Sequence, residues 1–173
     1  MNRITTADSR ITTAIQSYRS SVFGSAMALA SQLGNGPVLA GLMAILAVYL
    51  RWQHSRSLAL ACVYSGLLML GYNGIKVVFR RKRPDTPYAA TLRSSSFPSG
   101  HAASSMTAYG LIAYVLATEV VLPYGLIAGI LVGLLPLAVG TSRVYLGAHH
   151  PSDVVAGWFL GLGGLVLLLV RFG

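Results

Sequence analysis

Three short motifs carry the side chains of this sequence that are best suited to chemistry. In chain order they are Lys76-x6-Arg83-Pro84, Pro98-Ser99-Gly100-His101 and Ser142-Arg143-x5-His149-x3-Asp153. Together they supply three fixed cations, two histidines and one carboxylate. Cations that hold phosphate oxygens, a nucleophile and a proton donor are the groups needed to attack a phosphate ester.

The first motif places two cations around the end of an apolar segment. Lys76 lies within that segment, where a charge is costly unless it faces a polar cavity or reaches the interface. Arg83 stands before Pro84, which stops a helix. The cations at 80–82 are interpreted as a solvated cluster that faces lipid headgroups.

The second motif leads into an apolar helix. The free N–H groups and the positive dipole end of a helix N-terminus bind anions, and Gly100 permits a phosphate to approach the backbone. Ser99 either caps the helix or donates its hydroxyl to the anion. His101 is suited to protonate a leaving alkoxide, because the ordinary histidine pKa lies near neutrality.

The third motif pairs a histidine with a carboxylate. Arg143 adds a third cation, in a fork shape that fits phosphate oxygens. If a helix begins near Pro151, Asp153 reaches back to one ring nitrogen of His149 and leaves the other free as a nucleophile. The alternative is a buried Asp153 that bonds only to interface groups.

Five apolar segments must position these motifs. They cover residues 37–52, 57–79, 100–118, 124–144 and 152–170. Their lengths predict an all-α fold: one domain over 1–173, organised as a polytopic transmembrane helical bundle of five spans with the motifs at one membrane face. Residues 1–36 are predicted to form an amphipathic interfacial helix and a turn, and 37–173 the bundle. The count becomes six spans if the N-terminal helix inserts.

The N-terminal helix is predicted from apolar residues at helical spacing. These are Ile11, Ile15, Tyr18, Val22, Leu29 and Leu33. Asp8 or Ser9 is the expected cap, and 34–37 is the expected break. Because the first 20 residues contain no continuous apolar run, no cleavable signal peptide is expected.

Glycines recur every four residues on two of the apolar segments. They are Gly125, Gly129 and Gly133 on one, and Gly157 and Gly161 on the other. Such faces let helix backbones approach closely, so we interpret them as packing faces, with a homodimer face as the alternative.

Composition limits the class of protein. The chain is 54% hydrophobic and 10% charged, which favours an integral membrane protein over a soluble one. A net charge of +9 is compatible with nucleic acid binding, but the cations fall at segment ends without interleaved aromatics, so anionic lipid or a phosphorylated substrate fits better. The single cysteine, Cys62, excludes an intramolecular disulfide and a cysteine-based metal site.

The three motifs resemble those of the type 2 phosphatidic acid phosphatase superfamily, which also includes vanadium haloperoxidases and bacterial non-specific acid phosphatases. Every fixed position of its K-x6-RP, PSGH and SR-x5-H-x3-D pattern is matched between residues 76 and 153. The resemblance implies that His149 attacks phosphorus to form a phosphohistidine, that Asp153 orients and stabilises it, and that His101 is the general acid.

The resemblance also implies how the substrate is held. Lys76, Arg83 and Arg143, with Ser99 and the Gly100 amide, would bind the equatorial oxygens, so that neither a metal nor another cofactor is needed. The implied partners are a lipid phosphate and the surrounding membrane lipids, with no nucleic acid. Membrane members usually have six spans, so a surface helix at the N-terminus is a departure.

Two other functions use the same residues. A vanadate-dependent haloperoxidase fits less well, because those relatives are large and soluble. A non-catalytic lipid-binding or scrambling protein is disfavoured by the intact His101, His149 and Asp153. The lipid itself stays open among undecaprenyl pyrophosphate, phosphatidylglycerol phosphate and phosphatidic acid.

The protein is expected to cross a cell membrane several times, and in a bacterium this is the inner membrane. Only Arg51, Arg56 and Arg171 of the 13 lysines and arginines fall on the face opposite the motifs. The motif face therefore has ten lysines and arginines and the opposite face has three; without the three cations assigned to chemistry, the motif face still has seven. Since positive residues are enriched on the cytoplasmic side of membrane proteins, this difference favours a cytoplasmic active site. The resemblance instead favours a periplasmic active site, since the active sites of many bacterial relatives face the periplasm.

Overall fold

The computed structural model describes residues 3–17 and 20–173, and within these ranges it contains helices and loops but no strand. The helices are α1 (Arg3–Ser17), α2 (Ser21–Leu33), α3 (Gly36–Trp52), α4 (Arg56–Phe79), α5 (Pro87–Ala90), α6 (Gly100–Glu119), α7 (Tyr124–Gly133), α8 (Leu135–Tyr145) and α9 (Pro151–Phe172). The all-α prediction is confirmed.

Three helical segments are long and apolar enough to cross a membrane. They are α4, α9 and the continuous pair α7–α8, which runs over Tyr124–Tyr145. Helices α2 and α3 qualify together as a fourth, although their axes are bent by 52° at the predicted break before Pro37. Length and composition therefore support three or four apolar spans in the described chain, fewer than the five predicted.

Helix α6 is the central helix of the bundle. It packs against α3, α4, α7, α8 and α9. Its buried surface is built from small residues such as Ala102, Ala103 and Ser105, which explains why it is less apolar than a lipid-exposed span. Both glycine faces pack against it: a Cβ at Gly157 would lie 2.6 Å from the Ser99 carbonyl oxygen. The packing interpretation is confirmed for the four buried glycines, Gly125, Gly129, Gly157 and Gly161, whereas Gly133 is exposed.

The N-terminal region differs from its prediction. One continuous helix was expected, but α1 ends at Ser17 and α2 begins at Ser21, with the Ser20 hydroxyl accepting the Phe23 N–H at 3.2 Å as a new cap. Tyr18 and Arg19 lie outside the described residues. The expected cap was also wrong, because α1 begins at Arg3 and Asp8 is an interior residue.

Helix α1 packs through polar side chains. Asp8 and Thr12 are buried, whereas Ile11 is 47% exposed. Ile15 packs beside the buried Ala102, Val144 and Val154 of the bundle. The face that contacts the bundle is thus only partly the apolar face that the spacing predicted.

The motifs converge because four helix termini lie at one end of the bundle. These are the C-terminal ends of α4 and α8 and the N-terminal ends of α6 and α9. The loop after α4 folds back over this end, where the Ser96 N–H donates to the Arg81 carbonyl at 2.9 Å. The loop contains α5, whose Thr86 hydroxyl caps it and also donates to the Gly147 carbonyl.

Candidate active site

The predicted His149–Asp153 pair is present and buried. His149 is 1% exposed, and its Nδ1 lies 3.6 Å from Asp153 Oδ2. Asp153 is the third residue of α9, and its Oδ2 accepts the backbone N–H of His150 at 2.9 Å, which turns the carboxylate back toward the preceding loop. A separation of 3.6 Å is longer than a hydrogen bond, and such contacts commonly tighten when substrate binds.

The other ring nitrogen of His149 faces a cation. Nε2 lies 3.3 Å from Nη1 of Arg83. A guanidinium can only donate, so this contact requires the lone pair on Nε2 and puts the ring hydrogen on Nδ1. Burial lowers the pKa of His149 to about 4; Asp153 opposes the shift, and the charge of Arg83 adds to it. The ring is therefore neutral at physiological pH, with its lone pair among the cations.

Arg83 is held on all sides. Its Nε donates to the Ser94 carbonyl at 2.8 Å, and Nη2 donates to the Ser94 hydroxyl and the Ser95 carbonyl. Nη1 donates to the Ala148 carbonyl at 2.7 Å as well as facing His149. All five N–H donors of the guanidinium are thereby engaged. Arg83 connects the loop after α4 to the loop that carries His149.

Lys76 lies over the start of α6. A Cβ at Gly100 would be 3.4 Å from the Cε and Nζ of Lys76, so the ammonium sits beside the helix N-terminus. Ser99 caps this helix through its hydroxyl and donates its own N–H to the Asp153 carbonyl at 2.9 Å. Capping is the role of Ser99 that the structure displays. Lysine and helix end together present positive charge to an anion.

Arg143 has a donor to spare. It is 3% exposed, its Nη1 donates to the Ser31 hydroxyl and to Tyr88 Oη, and its guanidinium lies 5.6 Å from the centre of the Tyr88 ring. Its Nε is buried with no acceptor among the described residues. A buried donor without an acceptor is costly, and a phosphate oxygen would satisfy it.

His101 occupies the side of the site next to the α2–α3 bend. A Cβ at Gly34 would lie 3.2 Å from its Cδ2, so the ring packs against the backbone of the bend. Arg143, His149, Lys76 and Arg83 are all close enough to act on it electrostatically. Every residue predicted for the site thus lies at the same end of the bundle.

Sequence reasoning missed several supporting residues. The Ser96 hydroxyl donates to Asp153 Oδ2 and lies 3.5 Å from His149 Nδ1. Arg81, predicted to be solvated, is only 25% exposed and donates to Asp153 Oδ1 at 2.6 Å, so that interpretation was wrong. Ser31 and Tyr88 support Arg143. No local pattern marks these partners, because they come from segments distant in the chain.

A cavity of about 890 Å³ opens beside the cations. Lys76 and Arg83 form part of its wall, together with Arg80, Lys82 and Arg93. Arg80, Lys82 and Arg93 are exposed and make no hydrogen bond or ion pair with the described residues. Among all the residues that the structure describes, no three His, Cys, Asp or Glu side chains are grouped so that they could hold a metal ion.

The fold and the site define a class: a helical membrane protein with a buried His–Asp pair and converging cations at one end. The model of the PAP2 superfamily matches residues 55–172, so the chain belongs to this superfamily. Its apolar helices and its membrane relatives make it a membrane protein.

Solved and curated relatives agree with this assignment. A Bacillus subtilis crystal structure, described as a transmembrane PAP2 type phosphatidylglycerolphosphate phosphatase, superposes with a TM-score of 0.87 at 30% identity, covering 98% of this chain and 86% of that one. Phosphatidylglycerophosphatase B of Bacillus subtilis is 38% identical over 62% of this chain and 57% of its own length. Lipid A 1-phosphatase of Rhizobium etli is 35% identical over 71% and 51%. The chain thus spans little more than half the length of these curated relatives.

Proposed function

We propose that this protein is a membrane lipid phosphatase that hydrolyses a phosphate or pyrophosphate headgroup through a phosphohistidine at His149. The observation that carries the proposal is the lone pair of His149 Nε2, which is buried among cations while Nδ1 faces Asp153. A neutral, oriented imidazole beside anion-binding groups is the arrangement that nucleophilic attack on phosphorus requires.

In the proposed reaction, Nε2 of His149 forms a bond to phosphorus with its lone pair. The bond from phosphorus to the lipid oxygen breaks, and that oxygen takes a proton from the imidazolium form of His101, which becomes neutral. Neutral His101 then removes a proton from water, whose oxygen bonds to phosphorus. The nitrogen–phosphorus bond breaks, and its electron pair returns to Nε2.

The cations stabilise the charge on the transferring group. Arg143 offers its unsatisfied Nε, and Lys76 with the start of α6 offers a second anion-binding surface. The Arg83 N–H that faces Nε2 becomes free for a phosphate oxygen once that lone pair bonds to phosphorus. We propose that these groups replace a metal ion, so that activity persists in excess chelator.

We further propose the membrane placement that the motifs imply. Helices α3, α4, α6, α9 and the α7–α8 pair cross the membrane, α1 lies at its surface, and the active site faces the cytoplasm of a bacterial inner membrane. Thr91 is exposed in the loop over the site, and Cys62 is buried. In a Cys62→Ala, Thr91→Cys variant, an impermeant thiol reagent should label only opened cells; labelling in intact cells would contradict this sidedness.

The cationic cavity indicates which headgroups fit best. Because Arg80, Lys82 and Arg93 form no ion pair within the described chain, a second phosphate on the substrate would find partners in this cavity, although Asp85 also lines it. We therefore propose that undecaprenyl pyrophosphate and phosphatidylglycerol phosphate are preferred over phosphatidic acid, which has one phosphate.

A lipid panel tests the proposal. Phosphate release from these three lipids would be measured with purified protein in excess chelator. The expected result is turnover of at least one lipid, with a higher kcat/KM for lipids that carry two phosphates. Arg93→Gln should reduce that preference, whereas Arg171→Gln, at the other end of α9, should not. No release from any lipid, or a strict need for added metal, would contradict the proposal.

A further inference from the structure

Arg81 links two buried carboxylates from opposite parts of the chain. Its Nη1 donates to Asp153 Oδ1 at 2.6 Å, and its Nη2 donates to Asp8 Oδ2 at 2.7 Å. Asp153 belongs to the third motif, while Asp8 lies on α1. Neither Arg81 nor Asp8 is a fixed position of the three motifs.

The contact fixes the side of Asp153 that its other partners leave open. Oδ2 accepts the Ser96 hydroxyl and the His150 N–H. Within the described chain, Oδ1 accepts a hydrogen bond only from Nη1 of Arg81, which also donates to the Ser152 hydroxyl at 2.7 Å. With both oxygens bound, the carboxylate cannot rotate away from the ring of His149.

Asp8 in turn holds Arg81. Its Oδ1 accepts the Ser152 N–H at 2.9 Å, and its Oδ2 accepts the Ser152 hydroxyl at 2.6 Å besides Arg81. Ser152 lies in the first turn of α9, where an anion also interacts favourably with the helix dipole. Burial would raise the pKa of Asp8, but the bonds from Ser152 and Arg81 outweigh it and lower the pKa, so the carboxylate is ionised.

We propose that Arg81 and Asp8 are positioning residues for the phosphatase reaction: Arg81 orients Asp153, and Asp8 of the N-terminal helix orients Arg81. The active site is then completed by α1, a helix outside the three motifs. This inference rests on the proposed function, because it assumes that Asp153 orients the nucleophile His149.

The competing explanation is that the two residues only attach α1 to the bundle. The two explanations differ in what each variant changes. Attachment alone predicts less folded protein with normal kinetics per folded molecule. Positioning predicts a loss in kcat at unchanged KM and a change in the environment of His149 Nδ1.

The test compares Arg81→Gln, Arg81→Lys, Asp8→Asn and the double variant, each corrected for folded protein by size-exclusion chromatography. We expect Arg81→Gln to lower kcat roughly 10- to 100-fold with KM within about twofold, and Arg81→Lys to recover part of that loss. Asp8→Asn should cost roughly three- to tenfold. Because Asp8 acts through Arg81, the double variant should be no worse than Arg81→Gln.

Two charge-neutralising controls should keep wild-type kinetics. Arg10→Gln removes an exposed charge from the same helix as Asp8, and Glu119→Gln removes an exposed acid at the far end of α6. Neither residue has a hydrogen-bond or ion-pair partner within the described chain.

A second readout does not depend on turnover. In protein with ¹⁵N-labelled histidine, the Nδ1–H resonance of His149, assigned with His149→Gln, should shift in Arg81→Gln and Asp8→Asn and stay unchanged in Arg10→Gln. Wild-type kcat per folded molecule in Arg81→Gln, additive losses in the double variant, or an unchanged resonance would overturn the inference. If wild-type protein releases no phosphate, the proposed function fails, and the resonance still decides the positioning role.

Discussion

The central bundle and the N-terminal helices both contribute to the active site, but in different ways. The bundle supplies His101 and Asp153 from the N-terminal ends of α6 and α9, and His149 from the loop just before α9. The N-terminal helices supply support through single side chains, such as Asp8 on Arg81 and Ser31 on Arg143. The comparison indicates that changes in the bundle should abolish chemistry, whereas changes in the N-terminal region should tune it.

The largest effect is expected from the nucleophile. His149→Ala removes the nitrogen that would bond to phosphorus, so phosphate release should fall by roughly 10⁴-fold or more while the protein stays folded. His54→Asn, in the exposed turn after α3, is the matched control, because asparagine accepts the positive φ of 63° found there. Turnover of His149→Ala within tenfold of wild type would rule out this nucleophile.

Asp153→Asn tests the support of the ring within the bundle. The amide keeps the shape of the side chain but loses the charge that faces Nδ1, so the wrong tautomer of His149 becomes accessible. A loss of roughly 10³- to 10⁴-fold in kcat is expected. Circular dichroism would check that α9 is intact. A loss below tenfold would show that the Arg83 N–H and the Ser96 hydroxyl set the tautomer of His149 without the charge of Asp153.

Gly34→Ala tests the N-terminal region at its closest approach to the chemistry. The new methyl group would press on Val139 and lie 3.2 Å from Cδ2 of His101, and would therefore displace this proposed general acid. We expect kcat to fall roughly 10- to 100-fold. Gly36→Ala, with no atom within 4 Å of the added Cβ, should behave as wild type. Equal kinetics for the two variants would mean that the bend does not position His101.

The smallest effect is expected from pH, which tests how well the bundle buries His149. Protonation removes the His149 lone pair, so kcat/KM must fall as pH drops through the pKa of that group. Burial lowers this pKa from 6.5 to about 4, so the acidic limb should lie near pH 4. A profile of kcat/KM from pH 3.5 to 8 would show it. A limb near 6.5 would place His149 in contact with water.

The success of sequence reasoning followed the same division between regions. Helix ends at Pro151 and Gly100 and the four-residue step from His149 to Asp153 are local, so periodicity and caps were enough to predict them. The break between Ser17 and Ser21 and the pairing of Asp8 with Arg81 were not predicted. The pairing of Asp8 with Arg81 depends on a contact between segments far apart in the chain, which no local pattern records, whereas the new start of α2 has a local cap in the Ser20 hydroxyl.

Span number was the other difficulty, for a physical reason. Helix α6 is covered on most sides by protein, so it gains nothing from being uniformly apolar and instead carries buried Ser104, Ser105 and Thr107. Hydropathy identifies helices that contact lipid. A central helix of small residues is recognised better by its motif and its glycine-bearing neighbours than by its apolarity.

The engagement of Arg83 with Nε2 of His149 has a consequence for which molecules can react. In the resting protein the guanidinium of Arg83 lies against Nε2 of His149, the proposed nucleophile, so a neutral alkylating or acylating reagent would have to displace this cation before reaching the lone pair. An anionic electrophile attracts that cation to itself and uncovers the nitrogen as it arrives. The charge of Arg83 should therefore also select which reagents reach His149. Anionic histidine-modifying reagents should react with His149 faster than neutral reagents of similar shape.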